Sequence, residues 1–386
     1  MVSENNCSLK PRLYTPSFVL ISTANLFNVS SFGFFYLFPL FIKSCNGSES
    51  DIGIIMGAAA FSSVFFRPWI SEVVDKIGRK KSYTLGCLIT TVIPITYLVL
   101  KGDISDIYIP LLVTRLIYGI GLAICFTAVF TYVADIVPKE RLNEGIGMFG
   151  ATGLLGLAIG PVIGELLIKR YGFDAFFVAS TIIAGIGLFI ELFLPESYVN
   201  KKGSESVPFA SLLRIKRILM ISFLSFCFGV VIAATGNFVS PFAKEKGLRF
   251  ISFYYICYSG AAILTRLFGG RLADRFGEEK IIPYGLMLGA SGLIVLSFLK
   301  NEFILSTAGI LSGCGHGFLF PCLNSLMIRG QPGEIRGKLT GLFTGSIDAG
   351  VFAGSIILGY IGDWFGLQAL FLFSSFSLIP WIFLFL

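Results

Sequence analysis

The chain has 386 residues, of which 55% are hydrophobic and 14% charged, with a mean hydropathy of +0.82 and a formal net charge of +7. A water-soluble globule carries about 25% charged residues, so most of this surface is built to face lipid rather than water. The positive balance needs no nucleic-acid partner, because the basic residues collect in short loops between apolar runs.

The opening segment MVSENNCSLKPRLYTPS is polar and holds no cleavable apolar core, so the first apolar run is expected to act as the insertion signal. Crossing a bilayer as helix takes roughly 20 mostly apolar residues. Twelve such runs are predicted, at 17–43, 51–73, 82–100, 107–136, 143–168, 174–195, 218–242, 251–272, 281–299, 303–328, 339–362 and 367–386. Their length excludes the short alternating segments of a membrane strand barrel. With the N-terminus inside, 19 Lys and Arg residues fall on inner segments and 8 on outer ones, and Arg67, Arg115 and Arg266 lie within spans. Basic loops stay on the cytoplasmic side, so both termini are expected there, in the plasma (inner) membrane. The eight cysteines are scattered and read as apolar packing residues, not as metal ligands.

The sequence is duplicated. Arg67-Pro-Trp-Ile-Ser71-Glu-Val-Val-Asp75-Lys-Ile-Gly78 returns 199 residues later as Arg266-Leu-Phe-Gly-Gly270-Arg-Leu-Ala-Asp274-Arg-Phe-Gly277. Gly119 and Gly121 match Gly315 and Gly317, Pro138 and Arg141 match Pro332 and Arg336, and Gly156 and Gly160 match Gly350 and Gly354. One register, offset by 194 to 199 residues, relates the halves. The polar stretch 196–217 divides them, which predicts an N-terminal six-helix bundle at 1–195, a cytoplasmic linker at 196–217 and a C-terminal six-helix bundle at 218–386.

At these residues the chain resembles the major facilitator superfamily over nearly its whole length. Asp75, Gly78, Arg79 and Lys80 match that family's first loop signature, with Ser71 in place of the usual Gly. The second copy has Gly270, Asp274, Arg275 and Gly277, followed by Glu278 and Glu279 instead of a basic pair. Arg115-x-x-x-Gly119-x-Gly121 is similar to a signature linked with proton coupling. Gly156-x-x-x-Gly160-Pro161-x-x-Gly164 is similar to the helix-packing signature of drug and metabolite antiporters, with Glu165 where a second Gly is common. His316 and Asp348 lie in stretches that look like those of twelve-span efflux permeases of the proton antiporter group. The resemblance implies an all-α fold of twelve transmembrane helices in two pseudo-symmetric six-helix bundles, working by alternating access.

Charges inside spans cost at least ~2.5 kcal/mol on insertion scales, so each is a functional candidate. Arg115 lies roughly 12 Å into its span and needs a cavity or an acid partner there, for which Glu165 is the candidate. Asp348 and His316 both approach the midplane on consecutive antiparallel spans, which suggests a proton relay or substrate anchor, or else a permanent structural hydrogen bond. Arg67 and Arg266 occupy matching positions and are expected to brace the loop signatures or to snorkel. Asp75, Gly78, Arg79, Lys80, Gly270, Asp274, Arg275 and Gly277 are expected to form a gate whose contacts make and break between access states. Asn25, Asn28, Tyr118, Asn237 and Asn324 interrupt apolar runs on the four spans that line the central cavity in the family, where they serve either substrate binding or helix packing.

No phosphate loop of the form Gly-x-x-x-x-Gly-Lys-[Ser/Thr] occurs, so ATP is not the driver, and neither an enzyme nor a cofactor is expected. The expected partners are a small-molecule substrate, protons and the lipid bilayer, with the protein acting as a monomer. The leading reading is a proton-coupled antiporter for efflux. A sugar or organic-acid symporter or uniporter stands beside it, and after that a non-transporting membrane sensor.

Overall fold

The computed structural model describes residues 12–138, 141–197 and 212–385, and among them every regular element is helical. α1 spans Pro16–Ser44 with a short break after Phe34, α2 Glu49–Ile77, α3 Arg79–Thr96 and α4 Ile104–Ile136. The run Leu142–Glu191 turns at Gly172 and supplies two spans, α5 (142–171) and α6 (173–191). α7 spans Lys216–Glu245, α8 Ser252–Phe276, α9 Glu278–Ser297 and α10 Glu302–Ile328. The run Gly333–Phe376 turns at Gly366 into α11 (333–365) and α12 (367–376), and Ile379–Phe385 continues the latter.

Among the described residues, nine helices are long and apolar enough to cross a membrane. Two of these are the turned runs, each of which crosses twice. The twelfth span is α8, long enough at 25 residues but diluted by Arg266, Arg271, Asp274 and Arg275. The sequence suggested loops at 169–173 and 363–366, but the chain turns there on single glycines. Gly172 has φ 81° and Gly366 φ 83°, a backbone region that disfavours a side chain. They stand 194 residues apart, so the repeat is visible in the backbone as well as in the motifs.

Helix starts are set by local chemistry. Ser48 and Asp51 form a reciprocal capping box at α2, and Asp103 and Asn301 cap α4 and α10. Close packing then builds each bundle. A Cβ on Gly156 would stand 2.8 Å from the Ser30 amide, and one on Gly160 would strike the Ser30 carbonyl, so α1 lies directly on α5. Pro161 packs at Gly33, and Gly164 faces Phe176. Gly350 and Gly354 repeat this arrangement against Phe226 and Val230, joining α7 to α11. Phe34, Phe35, Phe38, Phe176 and Phe177 fill the first bundle's interior, while Ile109, Phe189 and Phe303 are exposed on its outer faces and the second bundle's, as residues facing lipid should be. The bundles meet along two seams, α2 with α11 and α5 with α8. Most of the linker expected at 196–217 lies outside the described residues.

Candidate functional site

Arg67 on α2 and Asp348 on α11 form an ion pair across the first seam. Ser63, one turn before Arg67, donates to Asp348 at 2.8 Å, and Thr344, one turn before Asp348, accepts from Arg67 at 3.0 Å. Arg67 also donates to Ser63 at 3.2 Å. This corrects two expectations. Arg67 does not merely brace the loop, and the neighbour of Asp348 is a guanidinium from the other bundle, not His316. The cause is geometry: the i and i+4 positions of each helix face the other across the seam, whereas His316 points back into its own bundle.

His316 on α10 shares a hydrogen bond with Tyr258 on α8 through Nδ1, stacks on Phe320 at 5.7 Å and meets Phe228 edge-on at 5.3 Å. The Arg266 guanidinium lies over the same Phe320 ring, 5.1 Å from its centroid. Phe343, next to Thr344 on α11, meets Phe320 edge-on at 5.2 Å. This aromatic cluster therefore adjoins the Arg67–Asp348 pair through two consecutive residues of α11.

Arg115 and Glu165 do not pair. Arg115 is 3% exposed, with its guanidinium 5.3 to 5.4 Å from the rings of Phe35, Phe38 and Tyr118. Its Nε and Nη1 have no hydrogen-bond acceptor among the described residues. Glu165 instead crosses the second seam. It accepts from the backbone amides of Ile251 and Ser252 at 2.9 and 2.8 Å, where α8 begins, and bonds Lys169 at 2.7 Å. Free amides and a positive dipole end make a helix start a good partner for a carboxylate. The first seam has a counterpart that sequence reasoning missed. Asp363, near the end of α11, accepts from the amides of Glu49 and Ser50 at 2.8 and 3.0 Å, where α2 begins. Tyr36 of α1 also meets the other bundle: its ring stacks on Tyr255 at 5.0 Å, and its carbonyl accepts from Ser240 at 2.8 Å. All these ties lie toward the face opposite the Gly78 and Gly277 loops.

Asn25, Asn28 and Tyr118 line one small cavity of about 20 Å³, room for a single water, against α1, α3 and α4. Asn25 donates to Thr152 and Asn28 to Tyr83, each at 3.0 Å, so both also join helices within the bundle. Asn237 and Asn324 are not at this cavity. Asn237 sits in a π-helical turn of α7 and donates to Ser355 at 2.8 Å. The side-chain oxygen of Asn324 is buried without a donor among the described residues.

At the loop face, Arg79 bridges Asp75 at 3.1 Å and Asp135 of α4 at 3.2 Å. Glu196, just past α6, accepts from the amides of Arg79 and Lys80, and Lys80 reaches the Leu192 carbonyl at 2.9 Å. Gly78 is favoured by its φ of 107°, and its missing Cβ leaves room for the Glu196 carboxylate. In the second half Gly277 repeats the turn with φ 88°. There Glu278 replaces Arg79 and takes Arg329, just past α10, at 2.7 Å, so the pair between these helices is kept with its polarity reversed. Arg275 lies over the ring of Phe276. Gly270 lies within α8, and the side chain of Asp274 lies outside the described residues. Glu191, fully buried at the end of α6, was also missed; its carboxylate lies near Thr84, Cys87 and Lys80 without a close hydrogen bond among the described residues. Among the described residues no group of three or more His, Cys, Asp and Glu side chains is placed to hold a metal ion.

A twelve-span, two-bundle helical fold with a charged site on the seam between the halves defines a membrane transporter of the two-bundle type. The Major Facilitator Superfamily model matches residues 19–262 and 249–386, and the chain belongs to that family. An MFS-type transporter of Methanocaldococcus jannaschii, MJ1560, is 24% identical over 89% of this chain and 90% of its own length. The multidrug resistance protein MdtG of Salmonella typhimurium is 24% identical over 83% of this chain and 80% of its own. Among solved structures, the nucleoside transporter NupG superposes with a TM-score of 0.73 at 14% identity, covering 96% of this chain and 98% of that one. The human organic anion transporter MFSD10 does so with a TM-score of 0.73 at 15% identity, covering 97% and 100%.

Proposed function

We propose that this protein is a proton-coupled antiporter that exports a small organic molecule across the plasma membrane, with both termini cytoplasmic and one chain as the working unit. The similarity to MdtG supports efflux, and the concentration of basic residues around the loop signatures supports the orientation. In that orientation the Glu165 and Asp363 ties close the outer face, so the form described is the one that loads from the cytoplasm.

The observation that carries the coupling is the Arg67–Asp348 pair, which joins the two bundles inside the membrane. Rocking the bundles apart along the α2–α11 seam removes the guanidinium from the carboxylate. A carboxylate left alone in low dielectric takes up a proton, because burial penalises its charged form. Return of α2 brings Arg67 back, displaces that proton toward the cytoplasm and restores the pair. Each cycle thus exchanges a proton inward for a solute outward.

Proteoliposomes with an imposed pH gradient test this. Screened solutes that are transported should accumulate in the acidic compartment and stop doing so when the gradient is collapsed. Accumulation in the alkaline compartment would make the protein a symporter.

A further inference from the structure

The internal repeat offers a template for reading the second arginine. Arg67 on α2 has three polar partners: Ser63, Thr344 and Asp348. The repeat maps Ser63 onto Ala262, four residues before Arg266, just as Ser63 is four before Arg67. It maps Thr344 and Asp348, six and two residues before Gly350, onto Gly150 and Leu154, six and two before Gly156. The glycines that set this register pack alike, Gly156 on α1 and Gly350 on α7. Each polar partner of Arg67 is therefore replaced by an apolar residue around Arg266.

The geometry follows the mapping. Arg266 reaches across the α5–α8 seam, and its Nη1 stands 3.1 Å from where a Cβ on Gly150 would be. That is the position from which Thr344 meets Arg67 in the other seam. Among the described residues nothing accepts a hydrogen bond from Arg266, and its Nε is buried without a partner. Its guanidinium lies over the face of Phe320, whose neighbours are His316 and Phe343. A guanidinium is always charged and presents donors in a planar fork that fits a carboxylate or similar oxyanion. Inside a membrane such a charge is costly without a counter-ion.

We propose that Arg266 is a substrate-anchoring residue, and that the oxyanion of an aromatic or otherwise apolar organic anion completes on the α5–α8 seam the ion pair that Asp348 completes on the α2–α11 seam. The ring system of the solute packs beside Phe320, His316 and Tyr258. This names a substrate class and rests on the transport reading above, but binding without a gradient tests it separately from coupling.

Thermal stabilisation of the detergent-purified protein is measured with three matched probes: naphthalene-2-carboxylate, its neutral carboxamide and the cationic naphthalene-2-methylamine. The carboxylate should stabilise the protein with a half-saturating concentration at least tenfold lower than either other probe. Arg266→Gln should remove that preference and Arg266→Lys should keep part of it. Leu154→Asp places a carboxylate where the repeat puts Asp348. It should weaken the carboxylate probe at least tenfold while the response to the neutral carboxamide persists, an outcome that misfolding cannot imitate. Equal response to all three probes, or a carboxylate preference retained in Arg266→Gln or Leu154→Asp, overturns the proposal. Loss of proton-driven flux with the preference intact would instead count against the coupling scheme alone.

Discussion

Arg67 and Asp348 lie 281 residues apart in the chain and meet as an ion pair between the two helix bundles. Such a partly buried ion pair is a poor source of net stability, because desolvation offsets much of the attraction. Its value in a moving protein is that it exists in one arrangement of the seam and is lost in another. The ties at the ends of α2 and α8 have the same property. They bind bundle to bundle through carboxylates whose partners are backbone amides, and separating the helices exposes both groups.

These ties set the first prediction. A carboxylate at a helix start contributes about 0.3–2 kcal/mol, so Glu165→Gln with Asp363→Asn should shift the access equilibrium by about 1.4 kcal/mol, or tenfold. In a single-cysteine background carrying Tyr255→Cys, alkylation by an impermeant reagent from outside should speed up about tenfold in the double variant. An unchanged rate would mean that the two carboxylates do not hold the outer face shut.

The loop signature gives the second. Asp75 is 68% exposed, while Arg79 is 14% exposed and joins Asp75, Asp135 and the Val74 carbonyl. Surface pairs contribute little and networks contribute more. Asp75→Asn should slow turnover while leaving substrate affinity within about twofold, and Arg79→Gln should slow it further. Wild-type rates in both variants would leave the loop with only a role in topology.

Packing gives the third. A side chain at Gly160 runs into the Ser30 backbone, so Gly160→Leu should cost about 1–3 kcal/mol and lower the Tm. Gly147 has open space around its missing Cβ, and Gly147→Ala, in the same helix, should hold or slightly raise the Tm. Equal effects at the two sites would contradict the close contact of α1 with α5.

The span count, the repeat and the bundle packing glycines were legible in the sequence, because they depend on hydropathy and on residue identity at fixed offsets. The partners were not. Arg115 pointed to Glu165 by sign of charge, yet Glu165 is held by the amides of Ile251 and Ser252, and backbone donors leave no trace in residue identity. Asp348 pointed to His316 because their spans are consecutive, but the nearer neighbour across the seam comes from the other half of the chain. Glu191 was absorbed into the apolar run of its span. The bare surroundings of Arg266 emerge only when the repeat register is laid over the seam geometry, position by position.

The central claim is that Asp348 exchanges Arg67 for a proton. The most direct measurement is gradient-driven flux beside equilibrium exchange, in the same vesicles, for Asp348→Asn. Asparagine keeps the shape and the hydrogen bond from Ser63 but carries no charge to trade. Uphill transport driven by the pH gradient should be abolished, and exchange of solute across the membrane should persist. Uphill transport at the wild-type rate in Asp348→Asn would contradict the account.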